Sequence, residues 1–227
     1  MKSPDSFNPQ DVSSPLERKE AKISPCQHGN PSAGACFGTD NSVPEIRIPD
    51  SARLSFELME PEVNPVHRQH LWELDQDPEV MRYVTGGKIS TMEFIDTVML
   101  PRIACYRNPQ RGWGIWQVSL TDSGEFVGWI LVRPWGFFSD APEFHRLELG
   151  WRFKRSCWGL GIATEAAQAV VAELIKQPDV TELCAIAEEE NLASTRIMTK
   201  LGMVFVRKDL VTDPLFEAEL VIYAREL

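Results

Sequence analysis

The segment from residue 143 to residue 188 places the strongest constraint on the fold of this chain. It contains a predicted strand, EFHRLELGWRF (143–153), the glycine-containing stretch RSCWGLGIATEA, a predicted helix over 162–176 and a second strand, VTELCAIAE (180–188). A single helix between two strands is the connection that neighbouring parallel strands use. The sequence therefore predicts one parallel strand pair, whatever the rest of the sheet does.

The remaining pattern predicts five more strands and several helices. Alternation of apolar and polar residues marks the strands, and TDSG forms a hairpin turn between two of them. The five strands are 52–58, 112–120, 125–135, 203–210 and 215–227. Helical spacing marks 64–84, 90–106 and 191–202, with a break at Asp77-Pro78 and a bend or stop at Pro101. We expect a mixed α/β domain: a central, mostly antiparallel seven-stranded sheet with one parallel pair and helices on both faces.

Residues 1–50 differ in composition from the rest of the chain. They contain seven serines and seven prolines, and their only aromatic residues are Phe7 and Phe37. Such a stretch cannot bury enough apolar surface to offset the entropy lost on ordering. We therefore expect a disordered tail over 1–50 and one folded domain over 51–227. The tail contains Cys26, His28 and Cys36, but their spacing matches no common zinc motif, so no metal site is predicted.

Charge and hydropathy exclude several classes of partner. The net charge of −10 argues against a nucleic-acid partner, which requires a basic face. No stretch approaches the roughly 18 apolar residues of a membrane-spanning helix. The N-terminal sequence also lacks the apolar core of a signal peptide. These observations predict a cytoplasmic or nuclear protein without a membrane partner.

Gly159 and Gly161 stand directly before the helix predicted to begin at Ile162. The first turn of a helix has free N–H groups and the positive end of the helix dipole, and together these bind anions. A glycine lacks a Cβ, so a phosphate can approach its backbone closely. The same two glycines also suit a simple tight turn, and the turn alone does not decide between the two interpretations.

A second motif adds the missing information. LELGWRFKRSCWGLGIATEA, followed by NLASTRIMTKLGMVFV, resembles the GNAT superfamily of acetyl-CoA-dependent N-acetyltransferases, and within it the RimJ/RimL-like branch of ribosomal-protein alanine acetyltransferases. ARLSFELM, DPEVMRYVTGG and VIYARE resemble the same branch, so the similarity covers about residues 51–227. It implies an enzyme that uses acetyl-CoA and an amine acceptor, requires no metal, and is a monomer or a homodimer.

The resemblance also implies where acetyl-CoA binds. Its diphosphate would lie on main-chain N–H groups of the glycine turn. The parallel strands would splay apart over 147–153 and 180–188, so that the pantetheine arm pairs with the first of them like an added strand. A strand N–H near Leu149 would face the thioester carbonyl. The implied acetyl-CoA contacts are Leu149, Trp151, Arg155, Trp158, Gly159, Leu160, Gly161, Ile162, Ala163, Thr164, Asn191 and Ser194. Asn191 and Ser194 equally suit a helix cap and a first helical turn.

Three residues are candidates for catalysis. An amine must lose a proton before it attacks, so a base is required. Glu148 is the first candidate because it matches a glutamate of this branch, although it also suits the solvated polar face of an alternating strand. His145 is the second candidate base. Ser194 would lie near the sulfur of the cofactor.

The sequence departs from the wider family at two positions. Trp158 stands where that family has Gln or Arg, so the turn would hold the diphosphate mainly through its backbone. Met198 stands where many members have a tyrosine that protonates the leaving thiolate. Ser194, Tyr223 or a water molecule could take over that role, and the sequence does not rank them.

The acceptor is the least constrained part of the prediction. The loop PWGFFSDAPEFH (134–145) is aromatic and carries Asp140 and Glu143, which could attract a cationic amine. The same loop could instead cover the core or form a dimer edge. Peptide N-termini, polyamines and small-molecule amines all stay open. The alternative to an enzyme is a non-catalytic acyl-CoA-binding regulator.

Overall fold

The computed structural model describes residues 43–227, and a seven-stranded sheet forms its centre. The strands are β1 (Leu54–Leu58), β2 (Gly114–Leu120), β3 (Phe126–Trp135), β4 (Glu143–Phe153), β5 (Glu182–Ala187), β6 (Val204–Asp213) and β7 (Phe216–Glu226). Their order across the sheet is β1-β2-β3-β4-β5-β7-β6. β4 and β5 are parallel and the other neighbours are antiparallel, which confirms the predicted fold class.

Five helical stretches accompany the sheet in the part of the chain that the structure describes. They are α1 (Pro65–Leu74), α2 (Pro78–Thr85), α3 (Met92–Phe94, the π-helical turn Ile95–Met99 and Leu100–Tyr106), α4 (Ile162–Leu174) and α5 (Leu192–Lys200). The predicted break at Asp77 is confirmed, since its side chain caps α2. Pro101 does not end α3, because the π-helical turn directly before it lets the helix continue. None of these helices has the length and apolar content needed to cross a bilayer.

Helices pack on both faces of the sheet and create two apolar layers. The first layer lies under α4 and α5 and includes Leu147, Leu149, Val170, Leu174 and Met198. The second lies under α1, α2 and α3 and includes Leu71, Leu74, Ile103, Ile115 and Trp129. Because side chains alternate along a strand, β4 between Leu147 and Phe153 sends its odd-numbered residues into the first layer and its even-numbered residues towards the second.

Pairing between the two parallel strands is short. Only three residue pairs connect β4 and β5, at Arg146–Glu182, Leu147–Leu183 and Glu148–Cys184. Beyond these pairs β4 continues to Phe153 and β5 continues to Ala187 without a ladder between them. The sheet is therefore open in its middle, between two strands that are each still paired on their other side.

The chain packs against the domain a few residues before the predicted start at residue 51. The Ile46 N–H donates to the Pro109 carbonyl at 2.9 Å, and Ile48 is buried in the first apolar layer. The rest of the predicted tail lies outside the described residues, and so do Cys26, His28 and Cys36.

Candidate active site

A groove of about 440 Å³ runs from the open side of β4 to the N-terminus of α4. Its walls come from β4, the glycine turn, α5 and the outer face of α2. Nine of the sequence-predicted contacts line it: Trp151, Trp158, Gly159, Gly161, Ile162, Ala163, Thr164, Asn191 and Ser194. The structure thus brings together residues from three separate elements that the sequence grouped only by resemblance.

The turn before α4 leaves its backbone donors accessible. Gly159 and Gly161 have φ angles of +74° and +77°, a conformation that favours glycine. Gly161 is the N-cap of α4, and no side chain caps the helix. A Cβ at Gly159 would meet no atom within 4 Å, so there is open space against the backbone at this point. A 13-residue helix with an uncapped first turn offers an anion both free N–H groups and the positive dipole end.

Trp158 braces this turn from the side of β4. Its indole Nε1 donates to the Phe153 carbonyl at 3.0 Å, across the point where the strand ends. About half of the side chain, 49%, stays exposed along the groove. The residue that departs from the wider family motif therefore has a structural function here, and the turn keeps its shape without a Gln or Arg side chain.

A cluster of three residues fastens the turn to the start of β1, and no local pattern in the sequence predicts it. The Glu165 carboxylate, in the first turn of α4, accepts from Ser51 Oγ at 2.7 Å and from Arg53 Nε at 2.7 Å. Arg53 Nη1 also donates to the Leu160 carbonyl at 3.1 Å. Burial raises the pKa of Glu165, but the hydrogen bonds from Ser51 and Arg53 outweigh it and hold the pKa below its ordinary value.

We expect the Glu165 cluster to make a pH-dependent contribution to stability. A lowered pKa in the folded state means that this contribution is complete above the ordinary glutamate pKa of about 4.3 and is lost as the pH falls through the lowered value. Glu165→Gln should cost about 1 kcal/mol of unfolding free energy at pH 7. Urea unfolding of both proteins should show this difference shrink in acid. A difference that is constant between pH 7 and pH 3 would contradict the assignment.

Asn191 and Ser194 hold the start of α5 and face the groove. Asn191 Oδ1 accepts from the Ser194 N–H at 3.1 Å, so the predicted capping interaction is present. Ser194 Oγ accepts from the Trp151 indole at 3.1 Å, which ties α5 to β4 across the open sheet. These contacts leave the Asn191 amide nitrogen and the Ser194 hydroxyl hydrogen free to donate to a molecule in the groove.

Three predicted contacts do not line the groove with their side chains. Leu149 is buried in the first apolar layer, and Leu160 is 60% exposed. The Arg155 side chain pairs with Asp77 at 3.2 Å beside a neighbouring depression. Instead, Arg196 and Lys200 of α5 supply positive charge to the groove. They are one helical turn apart on α5, and this spacing of two basic residues in a predicted helix indicates a positively charged face.

Glu148 lies in a buried ionic network rather than on a solvated face. Its two carboxylate oxygens accept from Arg133 Nε and Nη2 at 2.9 and 3.1 Å. Asp213 accepts from Arg102 Nη2 at 3.0 and 2.9 Å and lies 3.6 Å from Arg133 Nη1. Burial lowers the pKa of Arg102, whereas Glu148 and Asp213 outweigh burial and raise the pKa of Arg133. Both oxygens of Glu148 are thus already engaged by one guanidinium.

A second cavity of about 250 Å³ lies over this network. Its floor includes Glu148, Arg133 and Asp213, and Phe137 and Phe138 of the loop after β3 form an aromatic wall. The opposite wall comes from the end of β6 and includes Arg207 and Asp209. Glu148 and the groove-lining Trp151 stand three residues apart on β4, about 10 Å along the strand, so the two cavities adjoin opposite faces of the opened sheet.

His145 is not near either cavity. It lies towards the start of β4, its side chain is 57% exposed, and its ring is 3.9 Å from Glu143. Neither residue contributes to the walls of the groove or of the cavity over Glu148. Within residues 43–227, no three His, Cys, Asp or Glu side chains are grouped so that they could hold a metal ion.

The open parallel pair, the uncapped helix behind a glycine turn and the groove that joins them define an N-acetyltransferase fold. The model of the family described as "Acetyltransferase (GNAT) domain" matches residues 53–204, and the chain belongs to this family. The resemblance found in the sequence is therefore confirmed.

Comparison with known proteins also finds similarity to acetyltransferases. The Aspergillus fumigatus protein FsC-acetyl coenzyme A-N(2)-transacetylase is 31% identical over 142 residues, which are 62% of this chain and 59% of that protein. A GNAT-family acetyltransferase from Bacillus anthracis has a TM-score of 0.56 at 24% identity and covers 78% of this chain and 96% of its own. RimL, a ribosomal L7/L12 α-N-protein acetyltransferase solved with coenzyme A, has a TM-score of 0.59 at 15% identity and covers 79% and 97%. These two likenesses concern the fold, and they are consistent with the RimJ/RimL-like branch.

Proposed function

We propose that this protein transfers the acetyl group of acetyl-CoA to a primary amine, by direct attack of the amine within a ternary complex. The observation that carries the proposal is the interrupted β4–β5 ladder beside the uncapped N-terminus of α4. The gap can accept a strand-like arm, and the helix end can accept a diphosphate. One groove connects the two.

The residues present fit acetyl-CoA at each point of this groove. The N–H groups of Ile162, Ala163 and Thr164 would hold the diphosphate, with Arg196 and Lys200 adding positive charge at the rim. Backbone donors and acceptors of β4 beyond Glu148 have no β5 partner, so they would pair with the pantetheine amides. Acetyl-CoA supplies the thioester carbon that the amine attacks.

Ser194 and Asn191 have separate roles in this proposal. The Asn191 amide nitrogen would donate to a carbonyl of the pantetheine arm. The Ser194 hydroxyl, held by the Trp151 indole, would donate its hydrogen near the leaving sulfur. Met198 occupies the position of the family tyrosine and is fully buried, and its thioether has no proton to donate.

The acceptor would enter through the cavity over Glu148, on the other face of the opened sheet. The aromatic wall at Phe137 and Phe138 and the paired charges on the floor suit an amine on a partly apolar group. Glu148 is the sequence-derived candidate base. Both of its oxygens already accept a hydrogen bond from the Arg133 guanidinium, so we assign Glu148 the role of positioning the floor of the cavity.

A panel of primary amines tests the proposed function. It should contain ornithine, spermidine, alanine- and serine-initiated hexapeptides, kanamycin, and FsC, because the name of the A. fumigatus relative specifies N(2) acetylation with that compound. We expect stoichiometric CoA release and a mass gain of one acetyl group on at least one acceptor. Intact-mass spectrometry and a thiol-reactive dye measure the two products.

The controls separate this proposal from its alternative. Omitting the amine should reduce CoA release to the rate of background hydrolysis. Acetyl-CoA binding by calorimetry, with no transfer to any amine of the panel, would instead support a non-catalytic acyl-CoA-binding regulator. An absence of any binding would reject both.

A further inference from the structure

The residue that follows β5, Glu188, lines a third depression, which shares Leu210 with the cavity over the ionic network. Ile186 lines the cavity over the ionic network, and Glu188 is two residues further on, about 7 Å along the strand direction and on the same face. The Glu188 carbonyl accepts from the N–H of Asn191, which lines the groove. Tyr83 of α2, another groove residue, reaches the Glu190 carbonyl at 3.4 Å. The start of this loop therefore contacts two residues of the groove and continues the strand whose Ile186 lines the cavity over the ionic network.

Glu188 differs from the other acids of this region in its bonding. Its Oε1 is buried and makes no hydrogen bond with any of the described residues. Glu148 and Asp213 each have both oxygens engaged by an arginine. A buried carboxylate oxygen without a partner is costly, and it is also free to accept a proton. Glu188 Oε1 thus has no competing hydrogen bond among the described residues, whereas each oxygen of Glu148 already accepts one from a guanidinium.

The surroundings of Glu188 raise the pKa of its carboxyl group above that of an exposed glutamate. Burial and then the charge of Glu190 raise the pKa of Glu188, and Arg82 of α2 partly opposes them. Further charges face it across a depression, from Glu189 on the same loop, Lys208 on β6, and Glu217 and Glu219 on β7. A base with a raised pKa works closer to the operating pH, which increases the efficiency of proton transfer.

We propose that Glu188 is the general base of the acetyl transfer, acting on the acceptor directly or through one water molecule. The ammonium group of the acceptor gives a proton to the Glu188 carboxylate. The neutral amine then attacks the thioester carbon, the new C–N bond forms and the C–S bond breaks. The nitrogen loses its second proton to become the amide nitrogen, and the thiolate takes up that proton to leave as CoA. This assignment rests on the proposed function, since it concerns the same reaction.

The test compares pH profiles of three variants with the wild type. kcat/KM is measured between pH 5.5 and 9.5 with the fastest acceptor of the amine panel, and acetyl-CoA affinity is measured by calorimetry. Glu188→Gln should lower kcat/KM about 100-fold at pH 7 and remove the acid limb of the profile. Glu188→Asp should keep that limb and recover part of the rate. Glu189→Gln is the matched control, because Glu189 is its 62%-exposed neighbour and pairs with Lys208.

The outcomes are separable. Glu188→Gln should bind acetyl-CoA with wild-type affinity, which excludes misfolding as the cause of a lost rate. A Glu188→Gln profile that keeps the wild-type acid limb, or a Glu189→Gln loss of equal size, would overturn the assignment while leaving the proposed function intact. A wild type that acetylates no amine would overturn both.

Discussion

Replacing Gly161 by glutamate is expected to weaken acetyl-CoA binding about 1000-fold, or about 4 kcal/mol. The backbone of the new residue would have to keep a φ of +77°, which costs about 1–2 kcal/mol for a residue with a Cβ. Its carboxylate would also stand at the uncapped end of α4, where the diphosphate would otherwise lie. There it would meet Arg53, whose Nη2 is 3.7 Å from the added Cβ. Isothermal titration calorimetry measures the loss directly.

Gly124 provides a control with the same strain and the same added charge. It has a φ of +70° and open space around its Cβ position, in the turn between β2 and β3. Gly124→Glu should lower stability by a similar amount and leave acetyl-CoA affinity at the wild-type value. Wild-type affinity in Gly161→Glu would show that the diphosphate does not bind at this turn.

Asp213→Ala is expected to lower the free energy of unfolding by about 3–5 kcal/mol, the usual result of removing one partner from a buried ion pair. Arg102 would keep a buried charge whose Nη1 already has no hydrogen-bond partner among the described residues. It would still lie over the Phe138 ring, 3.8 Å away, and beside the like charge of Arg133. The Leu215 N–H at the end of β6 would also lose its acceptor. The melting temperature should fall by about 10 °C.

Asp209→Ala is the matched control for this variant. Asp209 lies on the same strand and pairs with Arg207 at 2.9 Å, but both side chains are about half exposed. Exposed pairs contribute about 0–1 kcal/mol, so this variant should melt within a few degrees of the wild type. Urea unfolding and calorimetric melting measure both variants. Equal shifts for the two would mean that the network around Arg102 does not stabilise the fold.

The strand–turn–helix–strand unit could be predicted from the sequence because its signals are local. Alternation of apolar and polar residues predicted β4 with the ends that are observed. The single helix after it indicated that the next strand runs parallel to it. The same alternation assigned Glu148 and Arg146 to one face but did not show what covers that face. α3 and the end of β6 bury it, and both elements are distant in the sequence. The two-residue alternation along a strand therefore predicts which side chains share a face. Tertiary packing decides whether that face is solvated.

The site divides in the same way. The glycine turn, Asn191 and Ser194 follow from two short motifs. The Arg53–Glu165 tie joins residues 112 positions apart, and no pattern in either segment predicts it. The positive charge of Arg155 suits a diphosphate, but in the structure its side chain forms an ion pair with Asp77. Glu188 stands in a run of three glutamates, and only the packing of the loop against α2 distinguishes this partly buried residue from its exposed neighbours.

The interruption between β4 and β5 has a consequence for the stability of the protein in the presence of a ligand. Unpaired strand edges usually lie at the rim of a sheet, where they promote aggregation, but here a pair of them faces inward across a narrow cleft. A ligand that fills the cleft binds the folded chain and not the unfolded one, so its concentration adds directly to resistance against unfolding. The free energy of unfolding is therefore expected to rise with the concentration of such a ligand.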